Sequence, residues 1–461
     1  MALLCVLFAV LFCKELLLNF IRAICSRETF LLVVFLLLNI LSGILSPYKS
    51  TVILGIKNRY NGILLMTLYL FAFIIALTVK GRNRFMELIR FYAVSSTIVY
   101  ILAILNFYGV DPLHMYARSS DQMATIYLST IGNINFLGTF LCLSLPLFLY
   151  HAIYQKSLLQ RIVFSIVTCI GLAAAIVVNS DSMYFGLMLV IVIIICMRGF
   201  NICLANSLLT IGAVFSFECF ILGIFASKMA NKYQALRSIS KLLCNAYVSI
   251  FLLLLCVVLI AVISLCKKQK RKILYADISK ITRIVCLIFA VIICSLIIYV
   301  NIIKPTADFK IFNNLFVFND AWGSNRGYVW GRLLYRFGEA PLWQKLFGVG
   351  PDSVNFLINP NYTKYIIAMN GSTFDSAHNE YLQYLLCIGL IGLGSYLAFT
   401  ASILQKTFKA KKHMANGFAL CICAYLAQAI FNIAMPITTP LFFIICALAV
   451  TSAKRKVKVQ Q

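Results

Sequence analysis

Acidic side chains are scarce: 14 Asp and Glu stand against 40 Lys and Arg, and charged residues make up 12% of the 461 positions. A soluble domain carries about 25% charged residues, so roughly half of the usual charge is missing and a soluble globular fold is not expected. No D-x-D triplet occurs, so the carboxylate pair with which many nucleotide-sugar transferases hold a divalent metal is absent. H-E-x-x-H, P-loop and G-x-S-x-G motifs are absent as well, which removes the usual signatures of zinc peptidases, nucleotide triphosphatases and serine hydrolases. Cysteine is plentiful, at 17, but C-x-x-C spacing is missing. Cys142, Cys169, Cys196, Cys256 and Cys294 lie inside apolar runs, where a thiol packs as a small hydrophobe. Residues 304–379 contain no Cys, so no disulfide framework is expected there. Neither a metal site nor a cofactor is indicated.

What the sequence has is apolar length. Hydrophobic residues make up 62% of the chain, in blocks such as "LLVVFLLLNILSGIL" and "LIFAVIICSLIIYV" that can cross a hydrocarbon core of about 30 Å. The blocks do not alternate, which argues against a β-barrel. Helices are expected near 28–46, 62–79, 89–108, 130–150, 161–178, 183–197, 203–226, 244–266, 281–303, 380–404, 416–434 and 437–452. A thirteenth candidate, 1–22, is weakened by Lys14 and Glu15. Its basic residue follows the apolar stretch, so a cleavable signal is not expected. The fold class is therefore all-α, a polytopic membrane bundle of about 12–13 transmembrane helices with one large extracytoplasmic helical loop. Three segments are expected: an N-terminal bundle over 1–303, the loop over 304–379, and C-terminal helices with a basic tail over 380–461.

The formal charge of +26 could suggest nucleic acid, but Lys and Arg gather in cytoplasmic connections of membrane proteins. "KGRNR" at 80–84, "KKQKRK" at 267–272, "KTFKAKKH" at 406–413 and the tail "KRKVK" fall on one face under helix alternation, and that face is expected to be cytoplasmic. No nucleic-acid partner is expected. The connection 226–243, with Lys228, Lys232, Arg237 and Lys241, is a basic exception on the outer face.

Residues 304–379 form the one long polar stretch and hold all three tryptophans, Trp322, Trp330 and Trp343. Long loops in compact chains are usually functional or disordered, and the aromatic and glycine content argues for a folded one. In "SNRGYVWGRLLYRF", Arg326, Trp330, Leu333 and Phe337 share a helix face by steps of four and three. "GVGPDSVNFL" reads as a glycine turn opening a second short helix, with Pro351 at its first position. In "FDSAHNEYLQ", Asp375 or Ser376 is expected to cap the helix entering the membrane near 380. His378 would then lie in the first turn, beside unpaired N–H groups that favour a neutral imidazole.

Arg326 and Arg332 share the loop, Arg59 stands at the outer start of another helix in "LGIKNRYNGILL", and Asn133 and Asn135 open a third in "IGNINFLGTFLCLSLP". Together with Asn379 beside His378, these outline an outer cavity with one base and several planar cations. Guanidinium groups bind phosphate oxygens bidentately and keep their charge. Glycosyl transfer from a lipid-diphosphate donor needs these parts: cations where negative charge develops, and a base for the incoming hydroxyl. The catalytic candidates are His378 and Arg326; the substrate-binding candidates are Arg332, Asn379, Arg59 and Asn135.

"SNRGYVWGRLLYRFGEAPLWQKLFGVGPDSV" followed by "AHNEYLQYLLCIGLIGLGSYL" resembles the core of the O-antigen ligase and polysaccharide polymerase superfamily. "GNINFLGTFLCLSLP" is similar to the Gly-Asn-x-Asn helix start of that group, and "LGIKNRYNGILL" is a weaker match. The resemblance spans about residues 50 to 400. It implies about 12 helices with an extracytoplasmic loop in the bacterial inner (cytoplasmic) membrane. It also implies metal-free, inverting transfer of glycan from an undecaprenyl-diphosphate carrier to a glycan, lipid or other acceptor, among membrane lipids. The family's histidine falls on His378, as base or acceptor-orienting group, and its loop arginine on Arg326, as diphosphate contact. One departure stands out: many members carry a Ser-Arg pair after the helix at 161–178, where this chain has Asp181 in "VVNSDSMYFGL". A second cation would come from Arg59, Lys228 or another outer residue. The rival from another class is a polysaccharide or lipid-glycan flippase, which would carry more intramembrane charge than Glu218 and the Lys14/Glu15 pair. A shape-and-division glycan polymerase would run similar chemistry, without its motifs here.

Overall fold

The computed structural model describes residues 21, 23–79, 81–116, 124–197, 202–228, 234–268, 275–303, 317–358, 365, 367, 374–410 and 412–454. The helices are α1 Arg27–Leu45, α2 Ile63–Leu77, α3 Arg82–Phe107, α4 Ile134–Tyr154, α5 Leu158–Val178, α6 Asp181–Cys196, α7 Ile202–Lys228, α8 Ser238–Leu243, α9 Ala246–Lys268, α10 Tyr275–Ile298, α11 Trp322–Glu339, α12 Leu342–Phe347, α13 Glu380–Ala410, α14 His413–Gln428 and α15 Thr439–Ala453. A two-residue hairpin, β1 Tyr127–Leu128 against β2 Gly132–Asn133, is the strand pairing among the described residues. Among the described residues eight helices are long and apolar enough to cross a membrane, and four apolar helices are shorter. These twelve coincide with the twelve apolar blocks of the sequence, and the chain is an all-α polytopic membrane protein. Apart from residue 21, the thirteenth span at 1–22 lies outside the described residues.

Two compact units interleave along the chain: one holds Met1–Thr78, Ile284–Lys409 and Ala429–Thr451, the other Val79–Arg283, Ala410–Gln428 and Ser452–Gln461. In the second unit, α4 packs against α5, α6 and α14. Asn133 caps α4 by accepting the Asn135 N–H at 2.8 Å. The Tyr100 and Ser144 hydroxyls are bonded inside this core. Asn179 ends α5 in the left-handed region, φ 56°.

The first unit holds α1, α2, α11, α12, α13 and α15. α1 starts at Ser26, whose Oγ accepts the Thr29 N–H at 3.2 Å, satisfying one of the four donors that a helix start leaves unpaired. Glu28 in that first turn meets Lys406 of α13 at 2.8 Å. Aromatic packing ties the helices together: Phe35 of α1 contacts Tyr384 and Tyr396 of α13, with ring centroids at 5.4 and 5.6 Å. Tyr69 stacks on Phe443 at 5.0 Å.

α13 is broken at Gly389, which adopts φ 71° and ψ −176°. A break inside an apolar helix frees carbonyls that a membrane interior cannot hydrate, so neighbouring protein must satisfy them. Here the turn after α12 does so. Val349 donates its N–H to Leu386 O at 3.0 Å, and Gly350 donates to Cys387 O at 2.9 Å. Ser42 Oγ of α1 donates to the same Cys387 carbonyl at 2.6 Å. The approach is so close that a Cβ on Gly389 would sit 2.2 Å from the Leu346 carbonyl, and one on Gly348 would sit 2.3 Å from that of Cys387. Gly389→Ala should therefore lower unfolding free energy by about 2 kcal/mol or more through overpacking and strain. Gly394→Ala on the same helix, with open space around its Cα, should not, as read by detergent-titrated unfolding.

Candidate functional site

The turn docked into α13 brings Asp352 against the segment between α1 and α2. Pro351 and Asp352 form a turn, and the short helix that follows runs over 354–358. Pro351 is therefore a turn residue rather than the first helical position, because the backbone is still occupied with bonds to α13. Asp352 is 4% exposed. Its Oδ2 accepts the Ile56 and Asn61 N–H groups at 2.9 and 3.4 Å, and its Oδ1 lies 3.2 Å from Arg59 Nε. Burial pushes the Asp352 carboxyl up, while the Arg59 charge and the two N–H groups oppose the rise. Ser46 Oγ holds Val349 O at 2.6 Å, and Thr51 and Ser353 hydroxyls meet at 3.0 Å, so α1's end, the 53–62 segment and the turn form one latched block.

Arg59 is 2% exposed. Its Nη1 donates to Asp375 O at 3.3 Å and to Asp375 Oδ1 at 3.5 Å. Nε and Nη2 are both buried without a hydrogen-bond partner, so Asp352 holds Arg59 through charge rather than through a hydrogen bond. The Asp375 side chain is half exposed, at 51%, and its Oδ1 also accepts from Ser376 Oγ at 3.0 Å.

Asn379 supplies the cap of α13: its Oδ1 accepts the Leu382 N–H at 3.0 Å. The expected caps, Asp375 and Ser376, are engaged with Arg59 and with each other, and His378 stands two residues before the helix rather than in its first turn. The physical reason is register, since the helix begins at Glu380 and only Asn379 reaches its third N–H. Ala377 is held from two directions. Its N–H donates to Gln383 Oε1 at 3.0 Å, and its carbonyl accepts from the Trp330 indole at 2.7 Å. His378 is left at φ 47°, a left-handed conformation that a non-glycine residue keeps only when its surroundings enforce it. Its ring meets Phe374 edge-on at 5.3 Å. Burial and the charges of Arg326 and Arg59 push the imidazole down from 6.5 to about 4, with Asp375 opposing them.

α11 presents the face read from its sequence. Val329 and Leu333 are buried, Arg326, Trp330 and Phe337 are half-buried, and Arg332 is exposed. Arg326 thus lies on the inward side of α11 and acts on His378. Arg332 lies on the open side, its guanidinium 5.0 Å from the centre of the Tyr328 ring. Asn135 belongs to the second unit, where its Oδ1 accepts from Ser180 Oγ at 3.3 Å and its carbonyl from Gln428 Nε2 at 3.3 Å. Asp181, which stands where the resemblance called for an arginine, accepts the Ile239 N–H at 3.3 Å and holds the first turn of α8. Among the described residues no group of three His, Cys, Asp or Glu side chains is placed to hold a metal ion.

The first unit therefore gathers Arg59, Arg326, His378 and Asn379 around one loop and adds Asp352, Asp375, Gln383 and Trp330. Asp352 escaped the sequence reading, although an Asp after a Gly-x-Gly-Pro turn, in a chain with 14 acids, is a signal in itself. Asn379→Ala should cost about 1 kcal/mol of stability through loss of the cap. Trp330→Phe, which keeps the ring and removes the indole donor, should loosen the 375–378 segment, read as faster amide exchange there with α1 and α2 unchanged.

Residues 242–397 match the family model described as O-antigen ligase. That range contains α11, α12, the turn at 348–353 and His378, and lies C-terminal to Arg59 and Asn135. No curated protein matches the chain. Over residues 242–397 this polytopic helical membrane protein is thus similar to the O-antigen ligase family.

Proposed function

We propose that this ligase- or polymerase-type membrane enzyme of polysaccharide biosynthesis transfers glycan from an undecaprenyl-diphosphate carrier to a glycan, lipid or other acceptor. The site faces the extracytoplasmic side of a bacterial inner membrane, and the reaction is inverting and independent of metal. The observation that supports this reading most is the strained, neutral His378 held between Arg326, Arg59 and Asp375 at the mouth of a capped membrane helix.

In the reaction the acceptor hydroxyl attacks the anomeric carbon. The bond from that carbon to the diphosphate oxygen breaks, and the electron pair leaves with the lipid diphosphate. The hydroxyl proton passes to His378. Arg326 stabilises the diphosphate as its charge grows, while Arg332 and Asn379 contribute further donors at the loop and the helix mouth. Arg59 adds the charge of a buried guanidinium whose Nε and Nη2 make no hydrogen bond.

A resting imidazole near 4 is a weak base at neutral pH, and general bases work best when their pKa lies near the working pH. The diphosphate corrects this. Its negative charges offset those of the two arginines, and the proton affinity of His378 rises as the donor docks. The base is thus switched on by its own substrate.

A single test follows for each partner. His378→Ala should lower transfer by at least about 10²-fold with membrane insertion intact, and near-normal product would remove the base assignment. Arg326→Lys should restore little over Arg326→Ala, because a point charge does not replace a planar fork. In wild type, kcat/KM should be flat above about pH 5 and fall as pH drops through about 4, where free His378 becomes charged. The acid limb of kcat, which reports the donor complex, should lie higher.

A further inference from the structure

Asp352 takes no part in the chemistry above, yet it is buried and engaged from two sides. Its carboxylate receives two backbone N–H groups and the Arg59 guanidinium, with no solvent contact of its side chain. A buried ion pair is a poor device for stability alone, since apolar residues of similar volume often serve as well or better. What an ion pair adds is direction. With Nε held 3.2 Å from Asp352 Oδ1 by charge, Nη1 meets both the Asp375 carbonyl and its Oδ1.

Asp375 lies three residues before His378. The segment between them has three anchors: Trp330 from α11, Gln383 from α13, and Arg59 from the 53–62 segment. The first two grip the two polar atoms of one peptide residue, Ala377. The third sets the far end of the segment, and its own orientation depends on Asp352. A histidine at φ 47° requires such over-determination.

We propose that Asp352 is a positioning residue for His378: it fixes the Arg59 guanidinium, and Arg59 fixes the Asp375–His378 backbone. The inference rests on the reading of His378 as the base. The charged groups that act on the imidazole are Arg326 from α11, Arg59 from the 53–62 segment and Asp375 from its own strand of chain. Asp352 is not among them, so its influence on His378 runs through Arg59 rather than through its own field.

The test is a double-variant cycle read on His378 itself. Ring-labelled histidine is followed by NMR in micelles of the full chain, and His378→Ala identifies the resonance. Asp352→Asn and Arg59→Gln should each raise the His378 midpoint by one pH unit or more: Arg59→Gln removes a nearby cation, and Asp352→Asn releases the guanidinium from its place so that the loosened segment admits water. The double variant should go no further than Arg59→Gln alone. Transfer kcat should fall at least tenfold in each single variant, again without further loss in the pair.

Asp352→Asn leaves a buried cation unpaired and can unfold the chain, so an apolar pair, Asp352→Leu with Arg59→Met, is included. It keeps the packing and removes the handle. If His378 titrates as in wild type in that folded pair, or if Asp352→Asn adds its full effect in the Arg59→Gln background, the proposal is overturned. Should the coupling hold while purified wild type transfers no glycan, the glycosyl-transfer reading falls and the positioning role stands. Should transfer proceed with His378 unmoved by Asp352→Asn, the reverse is true.

Discussion

Everything at the candidate site hangs on how the turn after α12 is wedged into a broken helix. The carbonyls of Leu386 and Cys387 lose their helical donors at Gly389 and take Val349 and Gly350 in exchange. This exchange is obligatory in an apolar interior, where an unpaired carbonyl costs about 1–3 kcal/mol. It fixes the turn, and the turn carries Asp352. Arg59 follows from Asp352, and the backbone before His378 follows from Arg59. A membrane helix that merely ran straight would leave no place for the turn, and the loop with its histidine would have no foundation.

Much of the architecture was legible because hydropathy is a one-dimensional property. The twelve apolar blocks became twelve helices, and the steps from Arg326 to Trp330, Leu333 and Phe337 gave the inward face of α11. What escaped was set by backbone angles and by partners distant in sequence. Gly389 sits inside a uniform apolar run, and nothing in composition distinguishes a glycine at φ 71° from one in a helix. The cap moved from Asp375 or Ser376 to Asn379 because an offset of a few residues decides which side chain reaches the third N–H. Arg59 reads as a free outer cation, yet two of its nitrogens are engaged by Asp352 and Asp375. Only folding brings Ile56 within 2.9 Å of a carboxylate 296 residues away.

The electrostatics of the site agree with an anion as the missing component. Arg326, Arg59 and the half-exposed Asp375 act on an imidazole that burial and the two arginines push toward the neutral form, while Asp352 pairs with Arg59 behind them. In this setting the histidine is a poor base. Under the proposed reaction a diphosphate headgroup would raise its proton affinity, so binding and activation of the base would be linked by the same charges. A flippase would gain nothing from a base that responds to its cargo. The similarity of residues 242–397 to the O-antigen ligase family points the same way.

The most direct test of glycan transfer is the fate of the carrier lipid. Purified protein in liposomes is given a donor labelled in both its undecaprenyl diphosphate and its oligosaccharide, together with candidate acceptors. The account predicts one free undecaprenyl diphosphate for every glycan joined to acceptor. Donor that crosses the bilayer intact, with its sugar–phosphate bond unbroken, would contradict it.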